Sequence, residues 1–553
     1  MKLTKLIASS LLFLSFCVSS NAQVDLIKYL PENASAIISL NSASLKQKMT
    51  WQELAQSKFF EALVKKAPME VKPFLSNPDG LGLDRSPEVI IAIVGDEKNP
   101  KNGYAAAFIR MKNIDQFTEA IQKLFKNHPI KTIGANKIMI DQDGAFGWNK
   151  DMAVITMGEN NKEFRSAKTP KAMTVATENK FKTLTDRCIR LLTVKLNSSY
   201  TKDPRFTSLM SSEGDIRMWS TSSFKPLQDI FNKKKQAVAV SPKLKGGVKA
   251  AVINFDNGQI SWQTKSYLAK SVDSLYKIYP GNKINTDAAG RLPGGDVLAY
   301  ISMNYSFDLF KALFEIAGVK DMAKGAFKNN EFKGQDFSDA LAGDLTIAVV
   351  KADEFAVDDS LTQNLGGLQL FLTGGIKDKS KFEKIAASIK KKSDSLANGN
   401  GKGAKFLSGL KDGLQYDDKS FVLSLSPQAA AGFMKRSPAA ALPVWLQSYN
   451  SAPAFVSLDL KSIFSLIMQM KKGNTNEESQ ELLKSFDRLV YSGGTYNTDH
   501  LDNKVEIQFT DKSQNSLKQF ISIIGTAADA EMRKRDAMMK DDELPPPPPK
   551  EKN

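Results

Sequence analysis

The chain is poor in the side chains on which most catalysis and metal binding at neutral pH depend: its 553 residues include two histidines and two cysteines. His128 (KNHPI) and His500 (TDHLD) have no partner at ligand spacing, and neither H-x-x-x-H nor C-x-x-C occurs. A zinc site is therefore not expected. Cys17 sits in an N-terminal apolar run whose removal leaves Cys188 alone. An intrachain disulfide is then excluded, and packed cores must hold the fold. In TDRCIRLLTV, Cys188 stands beside Ile189, Leu191 and Leu192, and reads as a small buried hydrophobe rather than a nucleophile. No G-x-S-x-G elbow is present. NGNGKGAK at 398–405 lacks the G-x-x-x-x-G-K-[ST] order of a phosphate loop and reads as a flexible link. DQDG (141–144) and DGLQYDD (412–418) do not complete a calcium loop and read as Asp/Gly turns. The catalytic, cofactor-binding and metal-binding sets are accordingly empty, and no cofactor is expected. Paired carboxylates distant in sequence leave no motif, so a carboxylate-dependent hydrolase acting on envelope polymers stays as the alternative to a non-enzymatic protein.

What is present begins with an address. Lys2 and Lys5 precede an apolar run from Ile7 to Val18, and Ser20-Asn21-Ala22 supplies a small-x-small cleavage signal. Residues 1–22 thus have the zones of a secretory signal peptide, and the run is too short for a membrane span. The expected location is the periplasm or cell surface, with no transmembrane segment after signal removal. Lipid anchoring through Cys17 is not favoured, because Phe16 is bulky where such a signal takes a small residue.

The 76 Lys and Arg outnumber the 60 Asp and Glu, giving a net charge of +16, or +14 without Lys2 and Lys5. Such a balance allows surface association with anionic polymers. The cations are spread through Lys-rich faces such as KKK at 233–235, not gathered with aromatics, so no nucleic-acid partner is expected.

Some 500 residues between signal and tail exceed one ordinary core. They echo themselves. LPENASAIISLNSASLKQKM at 30–49, followed by a helix-like WQELAQSKFFEALVKKA, has its counterpart in LPGGDVLAYISMNYSFDLFKAL at 292–313, with Pro31 and Pro293 lying 262 positions apart. VIIAIVG (89–95) is answered by DLTIAVV (344–350), and GYAAAFIRMKNIDQF by GLQLFLTGGIKDKSKF, whose Phe117 and Phe382 differ by 265. The hairpin at 137–158 corresponds to 413–426, DIRMWSTSSFKPLQDIF to APAFVSLDLKSIFSLI, and 246–278 to 493–524. An order of features kept at a nearly constant offset indicates one unit copied once.

Alternating strands dominate and helices follow them, so the expected fold is α+β and internally duplicated, with largely antiparallel sheets and helices packed on one face. In the first copy Phe117, Ile121, Leu124 and Phe125 have the spacing of a core-facing helix stripe. The expected division is residues 1–22 as signal, 23–285 and 286–527 as the two α+β halves, and 528–553 as a charged tail. Five prolines, Pro545 to Pro549, should keep that tail extended and without regular structure.

The LPENASAIISLNSASL opening, the WQELAQSKFF helix, the LPGGDVLAYISMNYS block and the export signal together resemble an uncharacterised Bacteroidetes family of exported proteins, domain-of-unknown-function family 4836. That resemblance implies an envelope protein and brings no catalytic residues with it. The reading is a non-enzymatic periplasmic or cell-surface binding or scaffold protein, with an envelope protein, peptide or glycan as partner and a cleft between the halves as its place.

Overall fold

A computed structural model describes residues 25–67, 72, 75, 78–84, 88–95, 103–126, 128–141, 144–158, 169–194, 199–221, 246–294, 296–317, 334–351, 367–397, 412–438, 442–470 and 483–541. The expected signal peptide with Cys17, the KKK run, the 398–405 link, the SFKPLQDIF end of the DIRMWSTSSFKPLQDIF segment and the five prolines lie outside the described residues.

The strands are β1 (Ala34–Asn41), β2 (Leu83–Asp84), β3 (Glu88–Val94), β4 (Tyr104–Met111), β5 (Lys131–Ile133), β6 (Asn136–Asp141), β7 (Gly144–Trp148), β8 (Met152–Gly158), β9 (Ile216–Ser220), β10 (Val248–Asp256) and β11 (Gln259–Tyr267). There follow β12 (Asp296–Asn304), β13 (Leu341–Lys351), β14 (Leu368–Ile376), β15 (Leu414–Tyr416), β16 (Ser420–Ser424), β17 (Ala454–Asp459), β18 (Phe486–Asn497) and β19 (His500–Phe509). Helices interleave with them: α1 (Ser42–Lys48), α2 (Trp51–Ala55), α3 (Lys58–Lys66), α4 (Ile114–Leu124), α5 (Pro170–Thr193), α6 (Pro204–Met210), α7 (Lys270–Ile278), α8 (Phe307–Ala317), α9 (Lys379–Ala397), α10 (Pro427–Lys435), α11 (Leu460–Met470) and α12 (Ser516–Asp541), besides shorter turns.

Local chemistry sets the element boundaries. Asn41 caps α1 by accepting the Ser44 N–H at 3.2 Å, and Ser306 Oγ accepts the Asp308 N–H at 3.2 Å at the matching junction before α8. The helix foreseen as one piece over WQELAQSKFFEALVKKA is two, because Ser57 accepts the Phe60 N–H and opens α3 after α2 has ended. At the other end α12 runs to Asp541, past the boundary at 527 and into the segment assigned to the tail; an Arg533–Asp529 pair at 2.7 Å bridges one of its turns. Asp141 pairs with Gly144 across β6 and β7, and the middle of DQDG lies outside the described residues; of DGLQYDD, Leu414–Tyr416 is strand β15 and the turn begins at Asp417, which accepts the Lys419 and Ser420 amides.

Every ladder is antiparallel, and the ladders join into one open path: β5-β6-β7-β8-β4-β3-β1-β9-β10-β11-β19-β18-β17-β12-β13-β14-β16-β15, with β2 added beside β4. Followed inward from β7–β8 and from β15–β16, the path meets a hairpin, then the strand before the amphipathic helix (β4 or β14), then three strands (β3-β1-β9 or β13-β12-β17), then the final hairpin (β10–β11 or β18–β19); β5 and β6 are additional at the first end. The two halves of the chain, before and after residue 285, meet at β11 and β19, where Gln259 faces Gln508, Gln263 faces Lys504 and Tyr267 faces His500. Phe117 on α4 and Phe382 on α9 follow corresponding strands, and both are buried, at 2% and 3% exposure.

The first half buries both faces of its sheet. Along β3, Val89 and Ile91 join one apolar cluster while Ile90 and Ala92 join another, and β1 divides Ile38 from Ile37 in the same way. The first cluster holds Phe117, Ile121 and Leu124 of α4 with Phe125 that caps it, Phe60 of α3, and Leu517 and Ile521 of α12. These helices form the layer the sequence called for. The structure adds a second layer on the opposite face, where Leu191 and Leu192 of α5 and Phe206 and Leu209 of α6 pack with Trp219 and Phe108. Cys188 is fully buried beside Leu184 and Ile138, and burial pushes its thiol up to about 11.

The last helix of each half crosses to the other. α12, which closes the second half, packs on α3 and across β10 and β11 of the first; α7, which closes the first, packs on α8 of the second. Lys518 of α12 donates to Glu53 of α2 at 2.6 Å, and Tyr496 of β18 donates to Asp273 of α7 at 2.6 Å.

Candidate functional site

Residues directly opposite one another in a sheet project to the same face, so the β11–β19 register fixes what lies together at the junction. Gln263 and Lys504, Lys265 and Asp502, and Tyr267 and His500 share the face on which Ala250 and Val252 of β10 and Ser492 and Thr495 of β18 also lie. That face forms the floor of a cavity of about 610 Å³. One wall is α6 and the turn behind it, with Arg205, Ser208, Leu209, Ser212 and Glu213; the other is the short Ser451–Ala452 stretch before β17. The cavity sits astride the seam of the two halves, within the ordinary size range of ligand sites, roughly 300–1,000 Å³.

Its wall is held in place by packing as well as by charge. Pro204 opens α6, and Asp203 caps it while its carboxylate takes both Nε and Nη2 of Arg205, at 3.0 and 2.7 Å. The Arg205 guanidinium lies over Tyr267, 5.2 Å from the ring centroid, and over Trp219 at 5.9 Å. Asp203 is held below the usual carboxylate range by this Arg205 bond, and the Tyr267 phenol is raised by burial and then by Asp499. Arg205 is thus committed to the wall.

The acidic groups are similarly engaged. Glu506, buried beneath the floor, meets Lys504 Nζ at 2.5 Å and accepts from the Tyr449 hydroxyl; Tyr449 is raised in pKa by burial and then by this carboxylate. Asp502 accepts from Asn497 and lies 3.3 Å from His500 Nε2, whose Nδ1 meets Asp499 at 2.8 Å. By contrast Asn254, Gln263, Lys265 and Glu213 have no side-chain partner among the described residues. Two carboxamides, an ammonium and a carboxylate therefore face the cavity with unspent hydrogen-bonding capacity.

The described residues contain no group of three or more His, Cys, Asp or Glu placed to hold a metal ion. His128 is remote from the junction, 3.4 Å from Asp141 and edge-on to Phe125. No described helix is long and apolar enough to cross a membrane. The sequence placed a cleft between the halves but named none of its residues. Gln263, Lys265 and Lys504 look there like ordinary solvent-facing positions of alternating strands, and only the β11–β19 pairing collects them.

No family model matches the chain, and no curated protein matches it. The resemblance to family 4836 rests on the quoted residues alone. Among solved structures, crystal forms I and IV of TP0453 align at 10% identity with TM-scores of 0.26 and 0.27, over 45% and 47% of this chain and 81% and 86% of that chain.

Proposed function

We propose that the chain is an exported, internally duplicated binding protein of the cell envelope, without catalysis of its own, which holds a polar segment of an envelope polymer in the cavity where its halves meet. The observation that carries this reading is the unspent set Asn254, Gln263, Lys265 and Glu213 around one cavity on the seam. Carboxamides offer donor and acceptor together, and the ammonium and carboxylate add one charge of each sign, which suits a ligand rich in hydroxyl or amide groups. The matching order of elements met inward from β7–β8 and from β15–β16 supports the duplication, with the halves at 23–285 and 286–527 and the second half's final helix continuing beyond.

The engagement of the carboxylates favours binding over hydrolysis: Asp502 and Glu506 of β19 are both tied to partners within the protein, which leaves neither free for the acid and base roles of a glycosidase pair.

The test is a glycan and peptide array probed with the full chain and with Gln263→Trp, which fills the floor. The reading expects at least one ligand class retained by the parent chain and lost, at least tenfold, by the variant. Retention unchanged in Gln263→Trp would overturn it. Cleavage of a retained glycan, abolished by Asp502→Asn, would establish the hydrolase instead.

A further inference from the structure

Asp502 is drawn away from the partner that the sheet sets before it. In the β11–β19 ladder it stands directly opposite Lys265, and residues so placed have Cβ atoms about 4.5–5.5 Å apart, close enough for an ion pair between strands. That pair is not made. Lys265 has no side-chain partner among the described residues, while one Asp502 oxygen lies 3.3 Å from Nε2 of His500 and the other accepts from Asn497. Both Lys265 and Asp502 line the seam cavity. The ammonium is left open there because the carboxylate across from it is held elsewhere.

His500 does the holding, and only one charge state of the ring allows it. Its side chain is 16% exposed and stands between two carboxylates, with Nδ1 2.8 Å from Asp499 and Nε2 3.3 Å from Asp502. An imidazolium donates from both nitrogens and satisfies both acids. A neutral ring has one N–H and one lone pair, so one of the two carboxylates must then face a lone pair. The shorter contact puts the remaining proton on Nδ1, toward Asp499, and the lone pair toward Asp502. Asp502 then keeps Asn497 alone, and the ammonium directly across the ladder can take it.

The other charged and titratable groups around the ring have partners of their own. From β11 comes Tyr267, whose ring lies 5.2 Å from that of His500; over Tyr267 lies Arg205 of α6, bound to Asp203. β18 brings Asn497 and Tyr496, and the Tyr496 hydroxyl donates to Asp273 of α7, which pairs with Lys277. Lys504, further along β19, is held by Glu506. Of these residue types, histidine is the one whose ordinary charge change falls between pH 5 and 8.

We infer that His500 is a pH-operated clasp, which decides whether the seam cavity offers Lys265 to a ligand that carries carboxylates. The inference rests on the reading of that cavity as a binding site and adds the class of its ligand and its control. With the ring charged, Asp502 is held and Lys265 stays open; with the ring neutral, Asp502 turns to Lys265 and the ammonium is spent. Loss of the imidazolium charge acts in the same direction, so affinity for a carboxylate-bearing segment falls as pH rises.

The probe is fluorescein-labelled hexa-aspartate, titrated with the full chain at pH 5 and pH 8 and read by anisotropy. The parent should bind about fivefold more weakly at pH 8, the scale of one exposed ion pair. Asp502→Asn should bind as tightly at pH 8 as at pH 5, whereas His500→Phe and Lys265→Met should bind weakly at both. Should His500→Phe fail to fold, as judged by circular dichroism, the isosteric Asp502→Asn carries the test. Nitrogen-15 NMR of the chain's two histidines supplies a second measurement, in which neutral His500 should carry its proton on Nδ1. A pH response that survives in Asp502→Asn, hexa-aspartate bound equally well by Lys265→Met, or a neutral His500 protonated on Nε2 overturns the clasp. Hexa-aspartate left unbound at both pH values, while the array still yields a ligand lost in Gln263→Trp, overturns this inference and leaves the cavity reading standing. An array that yields no such ligand takes down the cavity reading and this inference with it.

Discussion

Ile38 and Ile91 in the first half, and Ile301 and Ile347 in the second, are the same residue types in the same cross-strand relation, yet the first pair is partly buried against a core and each of the second is 40% exposed. The strands do not make this difference. It comes from the elements that reach over them: the cluster that takes in Ile38 and Ile91 gathers residues of α2, α3, α4 and α12, and none of the clusters among the described residues takes in Ile301 or Ile347. An alternating strand states which residues share a face; whether that face is buried depends on chain far away in sequence.

The comparison breaks most severely if α12 is disarmed. Replacing Leu517 or Ile521 by Ala should cost about 2–5 kcal/mol each, since both are nearly fully buried and the site is fixed by surrounding helices. Urea unfolding with an unchanged m-value would measure it, and the first half should become the less stable one. A cost under about 1 kcal/mol would mean that α12 is an ornament on the first half rather than its closure. Next in size, Ile38→Ala should cost about 2–3 kcal/mol and Ile301→Ala less than about 1 kcal/mol, because the latter already has much of its surface in water. Equal losses from the two would mean that the covering elements do not set the difference between the pairs.

The smallest effect is electrostatic and sits on the same crossing. Glu53 is lowered to about 2, first by the Lys518 hydrogen bond and then by the Thr50 amide. A carboxylate with a depressed folded pKa stabilises the fold above its unfolded value, near 4.5, and loses that contribution as pH falls toward about 2. Both partners are more than one-third exposed, so solvent screening limits the pair to less than about 1 kcal/mol. The difference in Tm between the parent and Glu53→Gln should therefore be small at pH 7, shrink between pH 4.5 and 2, and be reduced by salt. A difference that grows on acidification would contradict the assignment.

Much of the architecture was legible before the fold was known. Helical spacing marked Phe117, Ile121, Leu124 and Phe125, all of which are buried, and the polar junctions before α1 and α8 announced their caps. The neighbours of Cys188 gave away its burial. Other features are non-local and left no such trace. The second helical layer depends on Phe206 and Trp219 meeting across the sheet, and nothing in IRMWS or PRFTSLM says that they do. The seam was hidden for a related reason. QISWQTKSY reads as a strand with one watery side, and its pairing with HLDNKVEIQF, which turns that side into a cavity floor, is set by tertiary assembly. The early break between α2 and α3 was visible in principle, since Ser57 is a strong N-cap within an otherwise helical run.

The crossed helices carry a kinetic consequence. Glu53 and Lys518 touch across 465 positions of chain, and the interior begun by Leu40 and Leu45 is sealed by Leu517 and Ile521. As the chain is made from its N-terminus, the portion made first must wait, unfinished, for residues 465 positions further on to emerge. Throughout that interval its greasy interior lies open to whatever chaperone or neighbour is at hand.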